Sequence, residues 1–193
     1  MKLGIYGGTF DPPHLGHLVV AQEALHQLGL DRLLFVPAAV PPHKRDRGIT
    51  DGRIRLEMLR AAVAGVPGFE VSELELERDG PSYTADTLRQ LGEAHPGAGL
   101  YLVLGADQAN ELHTWREPDV IHKLARLVVF RRAGEHPEIR PGDGEPPLEI
   151  EVPRLDLSST IIRRRVRDRE PIRFLVPDAV REVVERQGLY REG

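Results

Sequence analysis

Lys2-Leu3-Gly4-Ile5-Tyr6-Gly7-Gly8-Thr9-Phe10-Asp11-Pro12-Pro13-His14-Leu15-Gly16-His17 follows Met1 and combines an apolar run, a glycine pair and two histidines. Apolar Leu3, Ile5 and Tyr6 ahead of a glycine pair predict that the first six residues form a buried strand. Beyond His17, the spacing of Leu18, Ala21, Leu25 and Leu28 describes one face of a helix. The Gly-rich segment therefore joins a strand to a helix start. Paired glycines let backbone N–H groups approach a ligand, and a helix N-terminus carries partial positive charge, so the junction suits phosphate. With a helix beginning near Leu15, His14 and His17 share one side of its first turn. Imidazoles of ordinary pKa, about 6.5, can carry or share positive charge against a phosphate anion. A tight turn with two capping histidines fits the same spacing. A zinc site would lack a third nearby ligand and any cysteine.

Further along the chain, Arg32–Pro37, Leu100–Leu104, Arg126–Phe130 and Leu148–Val152 read as strands, and Phe69–Leu76 alternates apolar with charged residues. Between them, Asp51 can cap a helix with Ile54, Met58 and Ala61 on one face, and another helix should start near Thr84. A short helix runs through Leu112, and Asp119–Leu124 is helical. Ser158 opens a basic helix, and Pro177–Gln187 forms the last one with Val180, Val183 and Val184 inward. Gly134–Pro147, rich in Pro, Gly and acid, is expected to be a mobile surface loop. Alternating strands and helices predict an α/β fold: a Rossmann-like doubly wound parallel sheet with helices on both faces. In such sheets ligands bind beyond the C-terminal strand ends, where the turns after Gly7, Pro37 and Gly105 would gather.

The 193 residues are enough for one domain, 1–193, including a helical C-terminal part from about residue 158. A net charge of −4 argues against a general nucleic-acid partner. The absence of cysteine excludes disulfides and thiolate catalysis. No apolar run approaches a membrane span and the N-terminus enters a strand at once, so a cytoplasmic protein with no membrane partner is expected. Oligomeric state is left open.

Three further segments carry chemistry. In Leu157-Ser158-Ser159-Thr160-Ile161-Ile162-Arg163, a serine can cap a helix whose free N–H groups make a second anion site. A capped helix with a basic solvated face fits equally. Pro81-Ser82-Tyr83-Thr84-Ala85-Asp86-Thr87 is followed by Gly105-Ala106-Asp107 and by Trp115, the sole tryptophan. A lone Trp usually supplies core area, but an indole face also stacks on an aromatic ligand. Asp107, just past a strand end, can accept bonds from a ribose hydroxyl. His43-Lys44 sits in a Pro-rich loop and reads either as a phosphate contact or as plain surface.

The Gly7–His17 segment resembles the nucleotidyltransferase superfamily, whose signature is His-x-Gly-His, and its Gly-Gly-Thr-Phe-Asp-Pro opening is similar to that of bacterial nicotinate-nucleotide adenylyltransferases. The resemblance extends from Leu3 to Arg163, with less specific similarity in the Pro177 helix. It implies an enzyme that transfers the adenylyl group of ATP to nicotinate mononucleotide, releasing pyrophosphate, in NAD biosynthesis. It places Gly7, Gly8, Thr9, Phe10, His14, His17, Ser158, Ser159, Thr160 and Arg163 at ATP, with His17, His14 and Arg163 catalytic. Lys44, Tyr83, Thr84, Asp107 and Trp115 are implied at nicotinate mononucleotide. Mg²⁺ would arrive with ATP rather than in a protein cage. The family's Arg before Pro-Gly is matched only loosely by Arg131. Alternatives are a pantetheine-phosphate type adenylyltransferase of the same fold and a non-catalytic nucleotide sensor.

Overall fold

The computed structural model describes residues 1–39, 48–134 and 145–191. His43, Lys44 and residues 135–144 of the Gly134–Pro147 loop lie outside the described residues. Six strands, β1 (Lys2–Gly8), β2 (Arg32–Pro37), β3 (Phe69–Val71), β4 (Gly99–Gly105), β5 (Ala125–Arg132) and β6 (Leu148–Val152), form one sheet in the order β3-β2-β1-β4-β5-β6. Every pair is parallel. The chain runs outward from β1 to β3, then crosses back to start β4 on the other side of β1. That reversal is the switch point of a doubly wound Rossmann-like sheet, and it opens a crevice at the C-terminal ends of β1 and β4.

Alternation along the strands builds two cores. Tyr6, Leu33, Phe35, Val103 and Val128 face α1 (Leu15–Leu28), α2 (Gly52–Val63), α6 (Ser159–Arg167) and α7 (Asp178–Arg186). Leu3, Ile5, Leu34, Val36, Leu102 and Leu127 face α3 (Thr84–Ala94) and α5 (Pro118–Leu124). Burial on both faces explains why these strands read as nearly continuous apolar runs. Between β4 and α5 lie α4 (Ala106–Glu111) and a 3-10 turn, Leu112–Thr114. Val180, Val183 and Val184 of α7 point into the first core as the spacing predicts.

Three local expectations differ. Gly7 and Gly8 do not form the turn; they end β1, opposite Val36 and Pro37. A Cβ on Gly8 would come within 2.9 Å of the Phe10 ring, so glycine there admits Phe10 beneath the turn. The Phe69–Leu76 alternation gives a strand of only 3 residues, after which the chain turns through Leu76 N–H to Glu73 carbonyl. On α2 the inward face is rotated: Met58 is buried with Arg55, Leu59 and Ala62, while Ile54 and Ala61 lie at the margin.

Candidate active site

The turn after β1 is built from below. Phe10 has a left-handed φ of 49° and is 2% exposed, its ring packed edge-on to Tyr6 and Phe35. The next side chain, Asp11, is also buried and bonded at both oxygens: Oδ2 accepts from Thr50 N–H at 3.2 Å and Oδ1 from the Tyr190 hydroxyl at 2.6 Å. Arg55, 1% exposed, reaches up from α2 to donate to the carbonyls of Thr9, Ala38 and Thr50, each at 2.8 Å. One buried guanidinium thus fixes the loops after β1, after β2 and before α2. Burial lowers its pKa, and the charges of Asp11 and Asp51 oppose that shift. Arg55→Met, which strands those carbonyls, is expected to destabilise the fold by about 3 kcal/mol. A thermal melt should then show Tm lower by roughly 10 °C.

His14 is the N-cap of α1 and His17 closes the first turn. The His14 N–H donates to His17 Nδ1 at 3.1 Å, and the two rings stack with centroids 3.7 Å apart. That bond puts the His17 proton on Nε2, leaving Nε2–H as its free donor. Gly16 leaves room for this stack, because a Cβ there would crowd His14 Nδ1 at 3.0 Å. Buried His14 Nδ1 has no hydrogen-bond partner among the described residues.

The expectation of a charged pair is corrected. Burial pushes His14 down to about 4, and burial together with His14 holds His17 well below the usual imidazole value. Both rings are therefore neutral donors near neutral pH. Because the folded pKa lies below the unfolded one, the unfolded chain takes up protons first on acidification. Stability should fall between about pH 6.5 and pH 4, and the fall in Tm over that window should be smaller in His14→Ala.

Two cavities meet at this pair, sharing Tyr6, Thr9 and His17. The first, of about 390 Å³, is lined by His14, Ser158, Ser159, Thr160, Arg163 and Arg132 among others. Ser158 caps α6 by accepting from Ile161 N–H at 3.2 Å, and the N–H groups of Ser159 and Thr160 lie ahead of the helix's own acceptors. Ser159 Oγ donates to the Pro12 carbonyl at 2.9 Å and Arg163 to the Asp11 carbonyl at 2.8 Å, so α6 is stapled to the β1 turn.

The second cavity, of about 410 Å³, is lined by Gly7, Gly8, Phe10, Tyr83, Thr84 and Trp115. Gly7, Gly8 and Phe10, expected beside ATP, thus border this cavity and not the first. Trp115 is half-buried and serves both readings, packing on the second core while lining the cavity. Asp107 is exposed in α4 and lines neither cavity; its neighbour Gln108 lines the second and accepts from Gly105 N–H at 3.2 Å.

Several functional candidates become visible only in the fold. Arg131 turns from the first cavity and pairs with Glu149 and Glu151 of β6 at 3.3 and 3.5 Å, whereas Arg132 lines it. Strand alternation carries that signal, since Arg132 follows cavity-lining Phe130 by two. Helical spacing would have flagged Arg55, which precedes buried Met58 and Leu59 by three and four. Arg116 also lines the second cavity, its guanidinium 4.7 Å from the Tyr83 ring centroid.

Residues 5–165 match the cytidylyltransferase-like family. Nicotinate-nucleotide adenylyltransferase of Bacillus subtilis strain 168 is 42% identical, covering 98% of each chain. A Geobacillus thermodenitrificans strain NG80-2 protein named "Probable nicotinate-nucleotide adenylyltransferase" is 46% identical, covering 98% of this chain and 86% of its own. The chain belongs to the nicotinate-nucleotide adenylyltransferase family, within the cytidylyltransferase-like proteins. The family's fold extends to more distant relatives. Plasmodium falciparum nicotinic acid mononucleotide adenylyltransferase, solved in complex with NaAD, superposes at TM-score 0.75 with 18% identity, covering 98% of this chain and 97% of that one. Among the described residues, no helix is long and apolar enough to cross a membrane.

Proposed function

We propose that this adenylyltransferase joins ATP to nicotinate mononucleotide, giving nicotinate adenine dinucleotide and pyrophosphate in NAD biosynthesis. The observation that carries the reading is the meeting of two cavities at His17, one walled by a helix N-terminus with Arg163 and the other by Trp115 and Tyr83. ATP fills the first and the mononucleotide the second, with its pyridine ring against the indole. Arg116 and the α3 N-terminus, which has no side-chain cap, favour a ring carboxylate over an amide. Glu117, beside Arg116 at 3.7 Å, is already held by Arg89, so the Arg116 charge is only partly offset.

The acceptor phosphate is an anion at neutral pH, its second pKa being about 6, and needs no general base. It attacks the α-phosphorus in line; one P–O bond forms as the bond to the leaving pyrophosphate breaks. The protein's task is to position two polyanions and to meet the charge that develops. His17 Nε2–H donates to the α-phosphate, His14 supports the β-phosphate, and Arg163 with the Ser159–Thr160 N–H groups holds the leaving group. Anionic phosphates beside the rings would raise both imidazole pKa values and strengthen these bonds. Lys44 is assigned to the phosphate of the mononucleotide, as helper where it meets ATP. Mg²⁺ enters as part of the nucleotide substrate; Asp11, the acid lining the first cavity, has both oxygens already bonded.

With α-labelled ATP and nicotinate mononucleotide, label is expected in the dinucleotide in step with pyrophosphate. Label retained on the protein, or release of labelled AMP without dinucleotide, would contradict direct transfer.

A further inference from the structure

Glu75 has no part in the chemistry above, yet it is 7% exposed and, among the described residues, is the only carboxylate lining the second cavity. An ionised acid beside a site for an anionic acceptor would repel it unless its charge is committed elsewhere. Its Oε1 accepts from the Thr87 hydroxyl at 2.6 Å, and the nearby Ser82 hydroxyl also favours the charged carboxylate. Burial raises its pKa, while Thr87, Ser82 and the nearby Arg78 work in the opposite direction. The Ser82 oxygen also accepts from Ala39 N–H at 2.9 Å, which leaves its hydroxyl hydrogen available to the carboxylate. Ala39 follows β2, next to the Ala38 carbonyl held by Arg55.

Ser82 and Thr87 bracket the turn that carries Tyr83 and Thr84 into the cavity and starts α3. One carboxylate therefore faces the hydroxyls at both ends of that turn. We propose that Glu75 is the positioning residue of the acceptor site, clamping Ser82 and Thr87 so that Tyr83, Thr84 and the first N–H groups of α3 face the mononucleotide across from Trp115. The assignment rests on the proposed reaction and deepens it. It predicts that Glu75 governs the mononucleotide and leaves ATP untouched, because none of these residues lines the ATP cavity.

The test compares wild type, Glu75→Gln, Glu75→Ala, Ser82→Ala and the Glu75→Ala/Ser82→Ala pair in steady-state pyrophosphate release. Mononucleotide affinity is read independently by quenching of the sole tryptophan, Trp115. In Glu75→Gln one carboxylate oxygen becomes an amide NH₂, so two acceptors are no longer available to Thr87 and Ser82 together. The expected result is a KM and Kd for nicotinate mononucleotide raised about tenfold in Glu75→Gln and further in Glu75→Ala, with kcat and the KM for ATP within about twofold. The pair should be no worse than Glu75→Ala alone, because both changes break one chain. An unchanged mononucleotide KM in folded Glu75→Ala would overturn the inference and leave the reaction standing. Parallel losses in kcat, both KM values and Tm would overturn it in favour of a merely structural acid. A wild type that turns over ATP but ignores nicotinate mononucleotide would overturn the functional reading, and this one with it.

Discussion

His17→Ala should turn over about a hundredfold more slowly than wild type or worse, the scale for losing one preorganised donor in a site shielded from water. The geometry sharpens that expectation. Nδ1 of His17 is occupied by the His14 N–H, so only Nε2–H can serve the reacting phosphate. His17→Asn keeps an acceptor at the Nδ1 position but has no reach to Nε2, and should be equally slow. His17→Gln carries an N–H near the Nε2 position and should recover part of the rate. A folded His17→Asn enzyme with near wild-type kcat would show that the ring only caps α1. Because both histidines are neutral before substrate binds, kcat/KM should not need a proton taken up on imidazole between about pH 6.5 and pH 8.

Arg163→Ala should lower kcat/KM for ATP about a hundredfold, through two losses at once. The guanidinium is a charge-assisted donor in the nucleotide cavity, and it also bonds the Asp11 carbonyl, tying α6 to the turn that carries His14. Arg163→Lys restores the charge but not the planar fork, and should recover only a minor part. The KM for nicotinate mononucleotide should change little, since Arg163 does not line the second cavity. Equal losses toward both substrates would mean that the staple, and not the charge, is what Arg163 supplies.

Much of this site was legible in the chain because it rests on local rules. An apolar run ending at glycines, a three- and four-residue apolar rhythm after His17, and a serine ahead of Ile161 name a strand, a helix and its cap. The doubly wound order follows once those units alternate. What stayed hidden depends on tertiary packing. Gly8 ends a strand, and its role is to leave the Phe10 ring the space a side chain would take. Phe69–Leu76 has the right alternation, but the sheet's edge pairs with only its first three residues. The histidines look chargeable in sequence and are neutral in the fold, since burial around the β1 turn sets their pKa. Helical spacing puts Arg55 on the inner face, but its partners, the Thr9 and Ala38 carbonyls, come from distant segments that no local pattern announces. Asp107 shows the converse, a motif residue at the right strand end whose side chain faces solvent beside the cavity-lining Gln108.

The second cavity should select a pyridine nucleotide acid for adenylyl transfer. Pyrophosphate release from MgATP, followed in parallel with nicotinate mononucleotide, its amide and phosphopantetheine, reads that selection. Rapid release with the acid, little with the amide and none with phosphopantetheine is the expected result. Release with phosphopantetheine alone would keep the fold and the histidine chemistry but contradict the role given to Trp115, Tyr83 and Arg116. Binding of ATP without pyrophosphate release under any of the three would contradict catalysis itself and make the chain a nucleotide sensor.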